Sequence, residues 1–261
     1  MSVSPNNFTG PISTTNPWIS FPAPKPQARA RLFCLPYGGG TTATYFSWSK
    51  YLPADIELCP IRLPGRESRL KERPFSSLDP LVDELASALL PYLNKPFAIF
   101  GHSMGALISF ELLKRLEGRY SSASTHLFVS SRRAAHLPDP DPPVHQLKDS
   151  DLVAAVQSRY NGIPQVVLQN EDLLQLLLPM LRADFTLLGT YQYQGGKLAC
   201  PITAFGGQQD SQVTQADLAA WRGLTSSSFR LRIFQGGHFY LQNAQSALLQ
   251  AIVSDLAQLT G

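Results

Sequence analysis

The sequence predicts an α/β fold, a mainly parallel central sheet flanked by helices, with a helical lid insertion. Three observations predict it. Apolar runs of strand length alternate with longer stretches of helical period along most of the 261 residues. One of these runs, Phe97 to Phe100, is cut by Gly101-His102-Ser103-Met104-Gly105 and passes directly into a helical pattern through Leu107, Phe110, Leu113 and Leu116. From Arg132 to about Tyr193 the alternation stops, and helical patterns follow one another with no strand between them. The chain is long enough for one large core, so a single domain is expected over 29–261, with the insertion at about 132–195, after a proline-rich N-terminal arm over 1–28.

In that arm Pro5, Pro11, Pro17, Pro22, Pro24 and Pro26 prevent regular helix. Either Trp18, Ile19 and Phe21 pin part of it to the body, or it is a disordered leader. The first strand, Arg31 to Leu35, leads into Pro36-Tyr37-Gly38-Gly39-Gly40 and a helix-like stretch through Tyr45, Trp48 and Leu52. This glycine run has neither a Lys-Ser/Thr pair nor G-x-G-x-x-G spacing, so nucleotide binding is not expected. It reads either as an ordinary turn or as a loop whose Gly38 N–H faces a reacting centre, with Tyr37 and Gly39 beside the substrate. A second strand, Ile56 to Leu63, precedes a basic stretch from Arg62 to Arg73 with five basic and two acidic residues. Such a stretch is a solvated face or a docking edge for an acidic partner. Leu78 to Leu93 then carries one apolar helical face, with Asp79 and Asp83 near the start where the helix dipole favours them.

After the Ser103 helix, Leu127 to Ser130 reads as a strand. The insertion follows, with Pro138, Pro140, Pro142 and Pro143, a helix from about Asp149 to Tyr160, and another through Leu173, Leu176, Leu177, Met180 and Leu181. Its leucines exceed one packing stripe, which suits a lid lining an apolar channel or, alternatively, a structural cap. The parallel pattern resumes with Ile202 to Phe205, the loop Gly206-Gly207-Gln208-Gln209-Asp210, a helix around Asp217 to Trp221, the strand Phe229 to Phe234 and Gly236-Gly237-His238. A closing amphipathic helix through Leu248, Ile252 and Leu256 is core packing.

Composition excludes several classes. With 22 basic and 19 acidic residues the charge is +3, too balanced for nucleic acid as the main partner. Cys34, Cys59 and Cys200 lack disulfide or zinc spacing, so neither a metal nor a disulfide framework is expected, and a reducing, cytoplasmic compartment is. No apolar run has the length of a membrane span, and the N-terminus lacks a signal-peptide pattern.

G-x-S-x-G between a strand and a helix places a serine hydroxyl on a strained turn at the end of a sheet. A serine needs a base to take its proton, and the base needs an acid to fix its tautomer. The chain order serine, acid, histidine filters the candidates. Only His238 is a late histidine on a loop after a predicted parallel strand, since His126, His136 and His145 precede every plausible acid. Asp210 projects from the loop one strand earlier; Asp172, Asp184, Asp217 and Asp255 sit in helices or the insertion. The expected catalytic residues are Ser103, Asp210 and His238, with oxyanion donors at the N–H groups of Gly38 and Met104. His102 is a substrate-binding candidate, and the Met104 side chain is expected to be a wall of the pocket.

The runs LFCLPYGGG, RLPGRESRL, FGHSMGALISFEL, LRADF, FGGQQD and GGHFYL together resemble the type II thioesterases that accompany nonribosomal peptide and polyketide synthases. The match spans Arg31 to Leu256 in order. The resemblance implies the α/β-hydrolase fold, no bound cofactor, a monomer, and hydrolysis of acyl groups from the phosphopantetheine arm of carrier protein domains. It implies the same triad and the same two oxyanion donors. The Arg62 to Arg73 segment or the Arg132-Arg133 pair would meet the acidic carrier. Two departures touch substrate preference: Tyr37-Gly38 stands where the family often has His-Ala, and Asn161-Gly162-Ile163-Pro164 where it often has Gly-Gly-x-Pro. The alternatives are an esterase, lipase or acyl-CoA hydrolase, an acyltransferase, or a non-catalytic acyl-binding or synthase-binding module.

Overall fold

In the computed structural model, residues 16–121 and 124–260 are described. Six strands form one parallel sheet: β1 (Ala30–Leu35), β2 (Ile56–Pro60), β3 (Phe97–His102), β4 (Thr125–Ser130), β5 (Ile202–Gly207) and β6 (Phe229–Phe234), in the order β2-β1-β3-β4-β5-β6. The first five are buried along their whole length, which explains their near-continuous apolar sequences: a parallel strand covered on both faces has no solvent side to make polar. Strand order reverses between β1 and β3, and the crevice beyond the carboxyl ends at such a reversal is where ligands bind in open α/β sheets.

On one face lie α1 (Leu78–Leu89) and α2 (Met104–Arg115), whose Leu81, Leu85, Leu107 and Phe110 pack with Phe33, Ile99 and Leu127. The other face is covered by a 3₁₀ segment, Thr42–Lys50, and by α8 (Gln245–Thr260). There Tyr45, Trp48, Leu248 and Ile252 pack on Cys34, Phe100 and Phe128. The closing helix also buries Asp255, which accepts from Thr203 and pairs with Arg230 and Arg232, so it does more than pack.

Between β4 and β5 come α3 (Asp149–Tyr160), α4 (Gln165–Leu168) and α5 (Glu171–Thr190), with their own apolar cluster including Leu152, Val156, Leu181 and Phe185. By length and apolarity α5 is the one helix among the described residues that would suit a membrane span, contrary to the expectation from the sequence. Its Leu177, Leu181, Phe185 and Leu188 line a cavity beneath it instead. After β5 a short α6 (Gln215–Ala219) carries a capping box between Thr214 and Asp217. A single-turn α7 (Tyr240–Asn243) follows β6.

The described part of the N-terminal arm is pinned to the body. Trp18 and Ile19 are buried, Ile19 bridges Ile61, Ser20 N–H donates to the Pro60 carbonyl and Arg62 N–H to that of Trp18. This segment covers the outer edge of β2, which is otherwise a row of unpaired backbone groups. The prolines at positions 5 and 11 lie outside the described residues. The strand expected to reach Leu63 stops at Pro60, though the Ile61 N–H still donates to the Cys34 carbonyl of β1 at 2.8 Å.

The basic stretch is corrected. Arg66 and Arg69 are buried, the first against Asp184 and the second against Glu72 and the ring of Trp18, while Arg62 pairs with Glu67. Arg132 and Arg133 are likewise turned inward, toward Asp139 and Asp217. Of these basic residues only Lys71 and Arg73 stay exposed, so most of the expected basic edge is turned inward.

Candidate active site

β3 ends at His102, and the chain turns at Ser103 with φ 53° and ψ −113°, a conformation L residues rarely adopt, before entering α2. The Ser103 N–H donates to the Ser130 carbonyl at 2.8 Å, carrying the β3–β4 ladder one step beyond the strands. The turn depends on its glycines. A Cβ on Gly101 would overlap the Gly105 backbone, and one on Gly105 would overlap the Leu35 carbonyl.

Two further loops meet at this edge. Gln208 N–H donates to the Phe234 carbonyl at 2.8 Å and Gln209 N–H to that of Gly236 at 2.9 Å, joining the turns after β5 and β6. These turns bring Asp210 and His238 together: Nδ1 of His238 lies 2.9 Å from Oδ2 of Asp210, both side chains being almost wholly buried. A carboxylate there accepts the Nδ1 proton and leaves Nε2 as the acceptor. Burial works against the Asp210 charge. The hydrogen bond and charge of His238 and the Gln212 N–H at 3.0 Å outweigh it and hold the carboxyl below its usual range.

Ser103 opens into a cavity of about 160 Å³. Its floor is Tyr37, Gly38 and Gly39, and its walls include Tyr160, Ile163, Phe185 and Phe239. Gly162 and Pro164 border it too, so both positions where the sequence departs from its relatives face the cavity. The ring of Tyr37 meets that of Phe239 edge-on at 4.7 Å. Among the described residues, the N–H groups of Gly38 and Met104 have no hydrogen-bond acceptor in the protein, whereas those of Gly39 and Gly40 are taken by Asp184 and by the Tyr37 carbonyl.

Two expectations are corrected here. His102 is not beside the substrate: it is fully buried, with Nδ1 at 2.9 Å from the Ser130 hydroxyl, which in turn lies 2.7 Å from the Tyr240 hydroxyl. Burial, and secondarily the neighbouring His238, push its pKa well down, so it is a neutral strut under the elbow. The Met104 side chain is buried in the core with Leu107 and Leu113 and forms no wall of the cavity.

Residues 30–257 match the family of thioesterase domains. The chain belongs to the thioesterase family. It is thus a thioester hydrolase on an α/β-hydrolase fold. It is 46% identical over 243 residues to "Linear gramicidin dehydrogenase LgrE" of Brevibacillus parabrevis, covering 92% of each chain. To "Gramicidin S biosynthesis protein GrsT" of Aneurinibacillus migulanus it is 41% identical over 246 residues, covering 94% of this chain and 96% of that one. Among solved structures it resembles the type II thioesterase BorB from the borrelidin biosynthetic cluster, at 36% identity and a TM-score of 0.83, over 92% of this chain and 97% of the other.

Sequence reasoning missed several residues of this thioesterase site. Phe239 and Tyr160 flank His238, with ring centroids at 5.3 and 4.9 Å. Arg66 and Asp184 form an ion pair beside the glycine loop. The available signal for the last was a lone carboxylate in the leucine-rich later part of α5, where Arg182 is the one other charge.

Proposed function

We propose that this thioesterase hydrolyses acyl thioesters from the phosphopantetheine arm of carrier protein domains in a nonribosomal peptide or polyketide synthase, through Ser103, His238 and Asp210. The observation that carries the reading is the Asp210–His238 hydrogen bond at the strand edge that also holds the strained Ser103, under an apolar roof. Ser103 Oγ attacks the thioester carbonyl while Nε2 of His238 takes its proton. The oxyanion is held by the Gly38 and Met104 N–H groups, which have no acceptor among the described residues. The C–S bond then breaks, and the sulfur of a thiol with a pKa of about 8.5, taking cysteine as the guide, leaves readily and takes the proton back from His238, which frees Nε2. His238 then activates water to release the acid from acyl-Ser103. Metal and cofactor have no part in this scheme.

The names of the relatives, two of them from gramicidin pathways, support a synthase partner; a monomer acting in the cytoplasm is part of the same proposal. The lid supports a substrate presented on a long arm, because its apolar side chains leave a narrow cavity over the serine rather than an open cleft. One relative is named a dehydrogenase, but the loop after β1 here reads Pro36-Tyr37-Gly38-Gly39-Gly40, without dinucleotide-binding spacing.

The test compares one acyl group on carrier protein, on coenzyme A and as a simple ester, with NADH and NADPH oxidation followed in parallel. Fastest release from carrier protein supports the proposal. Faster cleavage of the coenzyme A thioester or the ester, or consumption of the nicotinamide, contradicts it.

A further inference from the structure

Asp184 lies in α5, in the lid, and Arg66 in the turn after β2, 118 residues apart. Their side chains are 4% and 3% exposed, and Nη2 of Arg66 donates to Oδ1 of Asp184 at 2.7 Å. Burying two charges costs more than one contact recovers unless their remaining hydrogen-bonding capacity is used. It is used on the glycine loop. Oδ2 of Asp184 accepts the Gly39 N–H at 2.8 Å, and Nη1 of Arg66 donates to the Gly40 carbonyl at 2.8 Å.

Gly39 itself has φ +78°, so the peptides on its two sides face different ways, and the Gly40 N–H turns back to donate at 2.8 Å to the Tyr37 carbonyl, the other end of the peptide that carries the Gly38 N–H. Its N–H turns up to the lid carboxylate, and the N–H before it, that of Gly38, is left without an acceptor among the described residues. α5 also rests directly over Gly38: a Cβ there would lie 3.6 Å from the Phe185 ring and 3.8 Å from Cβ of Asp184.

We propose that Arg66 and Asp184 are positioning residues that aim the oxyanion loop. By engaging Gly39 and Gly40, the buried pair fixes the rotation of the peptide that carries the Gly38 N–H, and ties that rotation to the seating of the lid. A lid lifted at α5 withdraws the Gly39 acceptor and releases the loop, so only the seated lid leaves a competent oxyanion site. Neither residue touches the reacting atoms. The inference rests on the proposed role of Gly38 as oxyanion donor.

Two double variants separate positioning from stability. Arg66→Met with Asp184→Asn removes both charges but keeps a carbonyl oxygen for Gly39; Arg66→Met with Asp184→Leu removes the charges and the acceptor. The expected result is similar melting temperatures, with kcat of the leucine variant about 10²-fold below that of the asparagine variant, the scale of a lost oxyanion donor, and KM within threefold. An alkyl trifluoromethyl ketone, whose adduct with a serine carries an oxyanion, should lose affinity by the same factor as kcat. Equal kcat in two folded double variants overturns the inference.

Should either variant fail to fold, amide exchange in the unsubstituted protein decides. The Gly39 amide should be protected with and without the ketone, and the Gly38 amide only with it. An unprotected Gly39 amide in the ketone complex overturns the inference. Failure of the underlying reading looks different: Ser103→Ala would then keep its turnover, whatever the double variants do.

Discussion

Asp210 and His238 come from neighbouring strands and meet at 2.9 Å, each with a side chain less than a tenth exposed. The charge of Asp210 is kept by its partner against the burial that opposes it. Asp210→Asn preserves the shape but offers an amide where the imidazole needs an acceptor, so the ring turns or takes the wrong tautomer. We expect kcat to fall about 10³- to 10⁴-fold at neutral pH with little change in KM. Stopped-flow turnover of an acyl carrier substrate measures this, and a loss under tenfold would remove Asp210 from the triad.

Ser103 combines a positive φ with a hydroxyl at the cavity floor. Ser103→Ala should lower turnover at least ~10⁴-fold while the fold is kept. Incubation of the unsubstituted enzyme with a serine-directed phosphonate should add one label at Ser103, read by mass spectrometry of the peptide. Labelling elsewhere, or activity retained in the alanine variant, would move the nucleophile.

Gly105 sits where α2 passes under the end of β1, and a Cβ on it would overlap the Leu35 carbonyl and lie 2.7 Å from that of Pro36. Backbone cannot rotate out of the way as a side chain can. Gly105→Ala should therefore push the start of the glycine loop outward, costing about 1–3 kcal/mol of stability as overpacked sites do. Activity should fall by more than stability explains, because Pro36 leads directly to Gly38. Urea unfolding and kcat on the same preparation check both parts.

The sheet, the elbow and the pairing of Asp210 with His238 were readable because each rests on short-range pattern. Strand and helix periods are local, glycines at 101 and 105 flank the serine they serve, and the order of Ser103, Asp210 and His238 follows from strand succession. What was not readable depends on distant pairing. Arg66 belongs to a run with an excess of positive charge, which in isolation suggests a solvated face. The 3₁₀ turn Glu67–Arg69 folds that run inward, and its partner Asp184 lies 118 residues on. His102 misled for the opposite reason: adjacency to Ser103 in sequence suggested proximity to substrate, while the strand geometry sends its ring down to Ser130 and Tyr240.

His126 offers a stability test away from the chemistry, at the amino end of β4 and opposite the active edge. Its ring stacks on Phe128 at 4.3 Å, and Nε2 lies 2.9 Å from the Thr203 hydroxyl, which donates to Asp255. Burial pushes its pKa down to about 4; Asp255 raises it, and Arg230 and Arg232 add to the lowering. An unfolded histidine titrates near 6.5, so between about 6.5 and 4 the unfolded chain binds a proton that the folded chain refuses. Stability therefore rises with pH through that window and falls on acidification, by about 3 kcal/mol from this group at about 1.4 kcal/mol per pH unit. His126→Gln keeps a donor for Thr203 and removes the titration. His102, also neutral when folded, remains in the variant, so some acid sensitivity persists. The stability advantage of the unsubstituted protein over the variant should shrink by about 3 kcal/mol between pH 7 and pH 4, measured by urea unfolding at several pH values. A difference that does not vary with pH would show that His126 binds its proton as readily in the fold as in the unfolded chain. The pH profile of kcat should be the same in both proteins, since the group proposed to move the proton in turnover is His238.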